Sequence, residues 1–227
     1  MKEVTFLSHV LDTNTVGFAG KNTFSVEKAT AICCGDSSNS AYWKFHNHIG
    51  THIDLPKHFI EDGKTIDQTP AAYWIFNKVF LNTFDSIREN EIITYGSWCD
   101  KIPKDCELLL LKTGFEKYRD QEKYWKFNPA FSTDLAFWLK RNRPLIRCIG
   151  FDTLSLTGYQ HRELGRKAHK AFLSSETENE HEIFIIEDMH LSSIFTSPDK
   201  VIVLPLIVRN ADASPCSILG IFSSTRN

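Results

Sequence analysis

Three histidines and one carboxylate fall within the eleven residues His48-Ile49-Gly50-Thr51-His52-Ile53-Asp54-Leu55-Pro56-Lys57-His58. All four carry even numbers, and in an extended chain alternate side chains share a side. The spacing therefore predicts that His48, His52, Asp54 and His58 face one pocket, with Gly50 leaving room between the first two imidazoles. Pro56 opposes a continuous helix, although His48 and His52 alone also satisfy i, i+4 spacing. Imidazoles with a shared carboxylate suit a zinc-like or manganese-like ion. The pattern points to a metal site of hydrolytic type.

The elements that must present these residues show as apolar runs. Val4 to Leu7, Lys78 to Leu81, Glu107 to Leu111, Ile146 to Phe151, Ile183 to Ile186 and Val201 to Val208 are short and β-rich. Such runs predict strands buried on both faces. Ser132-Thr133-Asp134 ahead of Leu135 to Leu139 predicts a capped amphipathic helix. Arg162 to Leu173 predicts a second, with Leu164, Ala168, Ala171 and Phe172 at near-helical spacing, and a shorter helix is expected around Met189 to Phe195. Asp152 ends a strand, where it either orients a ligand histidine or closes a turn. Ser174 to Glu182 is polar and acidic and predicts an exposed loop, with His181 a solvated surface residue. The expected fold is α/β, a single domain over residues 1–227 with a mixed central sheet and flanking helices.

Composition narrows the partners. With 227 residues, 42% hydrophobic and 24% charged, the chain has the make-up of a globular domain with one substantial core. A net charge of −2 without a basic block argues against nucleic acid. No apolar run approaches membrane-spanning length, and Met1 to Thr5 shows no secretory h-region. The six cysteines form no C-x-x-C pair, which favours free thiols and a cytoplasmic setting. Phosphate-loop, H-E-x-x-H and G-x-S-x-G motifs are absent, removing several enzyme classes.

The H-x-x-x-H-x-D-x-x-x-H pattern, with its Gly50-Thr51 and Pro56, resembles the signature of the cyclase family. That family includes bacterial kynurenine formamidases, isatin hydrolases and polyketide-type cyclases. Weaker similarities follow in order at Leu7-Ser8-His9, Leu110 to Phe115, Asn128 to Ser132, Gly150 to Ser155, Ala168-His169, Ile185 to Met189, Leu204-Pro205-Leu206 and Ser214-Pro215-Cys216. The resemblance implies that His48, His52 and Asp54 bind one metal, and that Asp54 bridges to a second held also by His169 and Glu187. It makes His58 the proton shuttle rather than a ligand. Zinc is the first expectation and manganese the second, with one or two ions per chain. The interval from His169 to Glu187 is wider than in formamidase relatives, and the acidic run between them accounts for the excess as an insertion. Glu187 alternatively caps the helix expected behind it.

The reaction implied is hydrolysis of an aryl or cyclic amide by metal-activated water, with N-formylkynurenine, and hence tryptophan catabolism, the first substrate expectation. Phe18 stands where formamidase relatives carry an aromatic residue against the substrate. The Pro-Gly-Asp run usual after it is missing here. Alternatives are an isatin- or lactone-type hydrolase or cyclase, and a non-catalytic metal or small-molecule binding protein on the same scaffold. A small-molecule substrate and a homodimer complete the expectation. The remaining histidines, His9, His46, His161 and His190, read as ordinary core or surface residues, with His46 a support for the cluster by its shared parity.

Overall fold

The computed structural model describes residues 3–175 and 181–223, so part of the acidic run and both chain ends lie outside it. Its strands are β1 (Glu3–Phe6), β2 (Ser25–Thr30), β3 (Ser40–Lys44), β4 (His52–Asp54), β5 (Ile75–Phe76), β6 (Val79–Thr83), β7 (Ile92–Ile93), β8 (Leu108–Lys112), β9 (Ala130–Phe131), β10 (Cys148–Phe151), β11 (Phe184–Glu187), β12 (Lys200–Pro205) and β13 (Ala213–Phe222). The α-helices are α1 (Glu122–Lys126), α2 (Thr133–Asn142) and α3 (Arg162–Leu173).

The main sheet runs β5-β12-β13-β4-β11-β10-β8-β6, with β1 paired to the far end of β13. Its β6-β8-β10-β11 half is parallel, and the half from β4 onward is antiparallel. Both faces of the parallel half are covered, which is why β8, β10 and β11 are apolar without alternation. Leu109, Leu111, Ile149, Phe151 and Ile185 pack with α2 and α3 on one side. Leu108, Leu110, Cys148, Phe184 and Ile186 pack with Ile53, Val201 and Val203 on the other. Full burial of each such leucine is worth ~1.5–3 kcal/mol before entropy. The product is a single-domain mixed α/β fold with a large mixed sheet and few helices, as expected.

Both expected long helices form. Ser132 caps α2, its Oγ accepting from Leu135 N at 3.2 Å, and α3 spans the predicted residues. Burial on both faces fails at the periphery. β1 is exposed along most of its length because, among the described strands, it pairs with β13 alone. β12 alternates, with Val201 and Val203 buried and Leu204 open. No helix forms over Met189 to Phe195, because its amides are taken by distant acceptors: His190 N by Leu7 O, Leu191 N and Ser192 N by Glu116 Oε2. Asp152 closes the turn after β8, accepting from Thr113 N, Thr113 Oγ1 and Gly114 N, and orients no histidine. His181 is half-buried rather than solvated and is tied to the Ile146 carbonyl at 2.7 Å. Among the described residues no helix is long and apolar enough to cross a membrane. All six cysteines are free, and burial pushes the Cys99 thiol up to about 11 and the Cys106 thiol to about 12, which disfavours the thiolate of those two.

Gly165 sets the distance between α3 and the segment after β10. A Cβ there would collide with the Thr157 side chain, standing 2.5 Å from its Cβ. Gly165→Ala is therefore expected to cost ~1–3 kcal/mol of overpacking, against a helix-propensity gain of ~1 kcal/mol. A denaturation midpoint equal to or above that of the parent protein would show that α3 does not need this approach.

Candidate metal centre

β4 is three residues long, and its outer two, His52 and Asp54, leave the strand on the same face. The neighbouring strands bring the rest. β11 pairs Glu187 with His52, and β13 pairs Ala213 with Asp54. Directly opposed residues share a face, so Glu187 stands across from His52. The register of β13 also delivers Asp212, whose carbonyl accepts from Leu55 N. α3 lays His169 over the group. His52 Nε2 lies 3.5 Å from Asp54 Oδ1 and 3.4 Å from Glu187 Oε2. His169 Nε2 lies 3.6 Å from Asp54 Oδ2 and 3.4 Å from Glu187 Oε1.

The extended ladder expected over residues 48–58 exists only over β4. Gly50 adopts a left-handed φ of 61°, where a side chain is strained, and the chain bends there. His48 reaches the cluster across that bend, its Nδ1 2.9 Å from Asp54 Oδ1. His58 arrives on a 3-10 turn, Pro56–His58, and its ring centroid is 4.0 Å from that of His48. Turns, not strand parity, bring these two in.

Each imidazole has one nitrogen tied and the other turned inward. The Gly50 carbonyl holds His52 Nδ1 at 2.8 Å, and the Gly165 carbonyl holds His169 Nδ1 at 2.9 Å. A carbonyl only accepts, so both Nδ1 atoms carry a proton, and each Nε2 is left facing the carboxylates as the atom that either holds a second proton or gives its lone pair to a cation. Histidine ligands are commonly fixed in this way. Asp212, which motif reading misses, does the same for two more rings. Its Oδ2 accepts from His48 Nε2 at 3.0 Å and His58 Nδ1 at 3.1 Å, and Asn47 Nδ2 donates to its Oδ1 at 2.7 Å. These hydrogen bonds hold its carboxyl well below the usual range. Locally, Asn210-Ala211-Asp212 is an ordinary polar turn sequence, and only sheet register brings it here.

Two buried carboxylates side by side require positive charge. Burial opposes a charge on His48, but Asp54 and Asp212 outweigh it and lift the ring to about 10. Burial likewise opposes charge on His169, yet Asp54 and Glu187 raise it to about 9. Burial and Asp54 disfavour ionised Glu187, while contacts with His169 and His52 keep it at about 2. Protons on the imidazoles are one source of that charge, and a divalent cation is another. The donor set fits a cation: His52 Nε2, Asp54 Oδ1 and Asp54 Oδ2 are buried without an aligned hydrogen-bond partner, although His48 Nδ1 lies close to Oδ1. His48, His52 and Asp54 form one such donor group, and Asp54, His58 and His169 another around the same carboxylate. Glu187 is pinned beside them by Leu156 N at 2.7 Å and Ser155 Oγ at 3.1 Å, and with no helix behind it Glu187 caps nothing.

A cavity of about 310 Å³ opens over these residues. Phe59 stacks on His169 with centroids 4.7 Å apart, and Phe18, His46, Arg162 and Arg166 line it further out. The His46 ring also accepts from His48 N at 3.2 Å.

The sequence of residues 6–157 matches the Cyclase family. Kynurenine formamidase of Bacillus cereus is 27% identical over 211 residues, covering 92% of either chain. A solved potential metal-dependent hydrolase with cyclase activity superposes with a TM-score of 0.77 at 20% identity, over 99% of this chain and all of the other. Isatin hydrolase A from Labrenzia aggregata, solved with benzyl benzoate, gives a TM-score of 0.76 at 19% identity over 98% of this chain and 94% of its own. The chain belongs to the cyclase family. Its named relatives are hydrolases, and a divalent cation suits the donor set of this cyclase-family site.

One further histidine–carboxylate group lies outside the cavity of this family member. Glu116 accepts from His190 Nδ1 at 2.5 Å as well as from the 191–192 amides, with His9 Nε2 3.6 Å away. Its bonds anchor the segment after β11. His161 is bonded to the Asn90 carbonyl and takes no part in the site.

Asp54 touches every imidazole of the inner group. Asp54→Asn removes its charge and should at least halve the metal retained per chain after purification without added ions. Elemental analysis showing an undiminished metal content would remove Asp54 from the ligand set.

Proposed function

We propose that this cyclase-family chain is a metal-dependent hydrolase of aryl or cyclic amides, with N-formylkynurenine-type substrates first. The observation that carries the reading is the gathering of His48, His52, Asp54, His169 and Glu187 under one cavity, with His58 beside them on the Asp212 carboxylate that also holds His48. The similarity to a kynurenine formamidase along nearly the whole chain supports an amide substrate, and the isatin hydrolase fold supports cyclic amides as the second class.

In this reading His48, His52 and Asp54 hold one ion, zinc or manganese, and Asp54, His169 and Glu187 offer the place of a second. When bound, such an ion acidifies water and polarises a carbonyl. The protein's part is orientation and proton handling. The Asp212 carboxylate accepts a hydrogen bond from His58 Nδ1–H, which selects the tautomer with its lone pair at Nε2. From there His58 takes a proton from the attacking water and returns it to the leaving nitrogen. Phe59, Leu154 and Phe18 give the cavity apolar walls suited to an aromatic ring. With His58 on Asp212, the cavity holds an imidazole beyond the ligands proposed here, which a purely structural metal site would not need.

The homodimer that the resemblance implies belongs to the same proposal, and Phe6, Val10, Trp43, Leu204 and Leu206 offer an apolar surface for it. These apolar side chains are exposed together.

His58→Ala should retain metal and lose ~10²–10⁴ in kcat toward formanilides, isatin or a lactone, whichever is turned over. Activity within a few fold of the parent would remove His58 from the proton path. Chelation should abolish turnover well before the far-ultraviolet circular dichroism changes; simultaneous loss of both would make the metal structural.

A further inference from the structure

The charges of α3 are sorted into two stripes. Glu163 and Lys167 lie one turn apart and pair with each other, Nζ to Oε1 at 2.9 Å. Arg162 and Arg166 lie one turn apart on the adjacent stripe, and both line the cavity. Neither guanidinium has an ion pair or side-chain hydrogen bond with any described residue. Arg162 is held by aromatic faces instead, 4.5 Å over the Tyr159 ring and 5.9 Å from the Phe18 ring. The acidic residues lining the cavity are Asp54 and Glu187, and both are buried on its floor among imidazoles. Floor and rim are therefore electrostatically separate. Below, carboxylates are matched by imidazoles and the cation they suit. Above, two guanidiniums line the cavity beside an aromatic pair without a carboxylate in ion-pair contact among the described residues, the Glu163 charge reaching Arg166 only at longer range.

We propose that this rim is an anion subsite, where Arg162 and Arg166 bind a carboxylate carried by the substrate at a point away from the scissile amide. The inference rests on the amide-hydrolase reading and narrows it to anionic aryl or cyclic amides. Guanidinium suits such an anion because its planar fork meets a carboxylate through two parallel N–H···O bonds and stays charged at any working pH. Arg162, already stacked on Tyr159, loses little freedom on binding. An aromatic ring entering between Phe18 and Phe59 would carry its carboxylate outward to the rim while its amide points to His58. Neutral amides of the same shape would offer neither guanidinium such a partner.

Binding without turnover tests this directly. Acetophenone and its three ring-carboxylated isomers keep a carbonyl and a ring but have no amide to cleave. Calorimetry on the metal-loaded protein should find the best carboxylated isomer bound about 10- to 100-fold more tightly than acetophenone. In the double variant Arg162→Gln, Arg166→Gln that ratio should fall to within about twofold of one, whereas Lys167→Gln on the outer stripe should keep it. Equal binding by the parent protein, no binding of either kind of ligand, or a ratio that survives the double substitution would each overturn the subsite. Parallel turnover of formanilide and its carboxylated isomers separates the two claims. Hydrolysis without preference for the carboxylate sinks only the subsite, and preferential binding without any hydrolysis sinks only the amide-hydrolase reading.

Discussion

Two carboxylates buried at one spot in a sheet are the constraint around which this protein is arranged. Asp54 and Glu187 lie on adjacent strands of the β4-β11 ladder, and neither can be ionised there without compensation. A buried unpaired charge is among the costliest defects a fold can carry. Compensation comes from imidazoles supplied by the bend before β4 and by α3. These are positions that no single element could offer together.

The pieces around that pair are positioned by groups that do no chemistry. Asp188, next to Glu187, takes a left-handed φ of 52° and is clamped by Arg119 and by Tyr124 Oη, which donates to it at 2.5 Å. Its carbonyl accepts from Thr51 Oγ1, one residue before His52. The backbone on both sides of the His52–Glu187 pair is thus fixed by one buried network. Gly165 lets α3 approach closely enough for His169 to reach Asp54 and Glu187, and the Gly165 carbonyl then orients that same ring. Rigid supports of this kind hold a cation site to its geometry.

The cavity is graded from floor to rim. At its base, negative charge is concentrated and matched by imidazoles; its walls are apolar, and its mouth is cationic. Such a gradient orients a ligand that has a polar reacting group at one end and a charge at the other. Asp212 stands between the layers. It ties the rings of His48 and His58 through one carboxylate oxygen, so the two are positioned together.

Local chemistry was enough to reveal the residues from His48 to His58 as a cluster, though turns at Gly50 and Pro56, not strand parity, gather them. Histidine and aspartate in the spacing from 48 to 58 read as a cluster, the capped run after Ser132 and the periodic run Arg162 to Leu173 read as helices, and the apolar runs of β8, β10 and β11 read as buried strands. These signals are short-range, set by which side chains share a face or need water excluded. The family resemblance brought His169 and Glu187 to notice, since nothing in their own surroundings marks them. Asp212 left no trace in the sequence, because its role depends on the register between β13 and β4, a pairing of segments far apart in the chain. Nor did the placement of Arg162 and Arg166 at the cavity, since a charged stripe on a helix looks the same over a cavity or in open water. Sequence determined which groups were available for chemistry; tertiary structure decided which were buried together, because desolvation and cross-strand pairing act only between parts of the chain that folding has brought into contact.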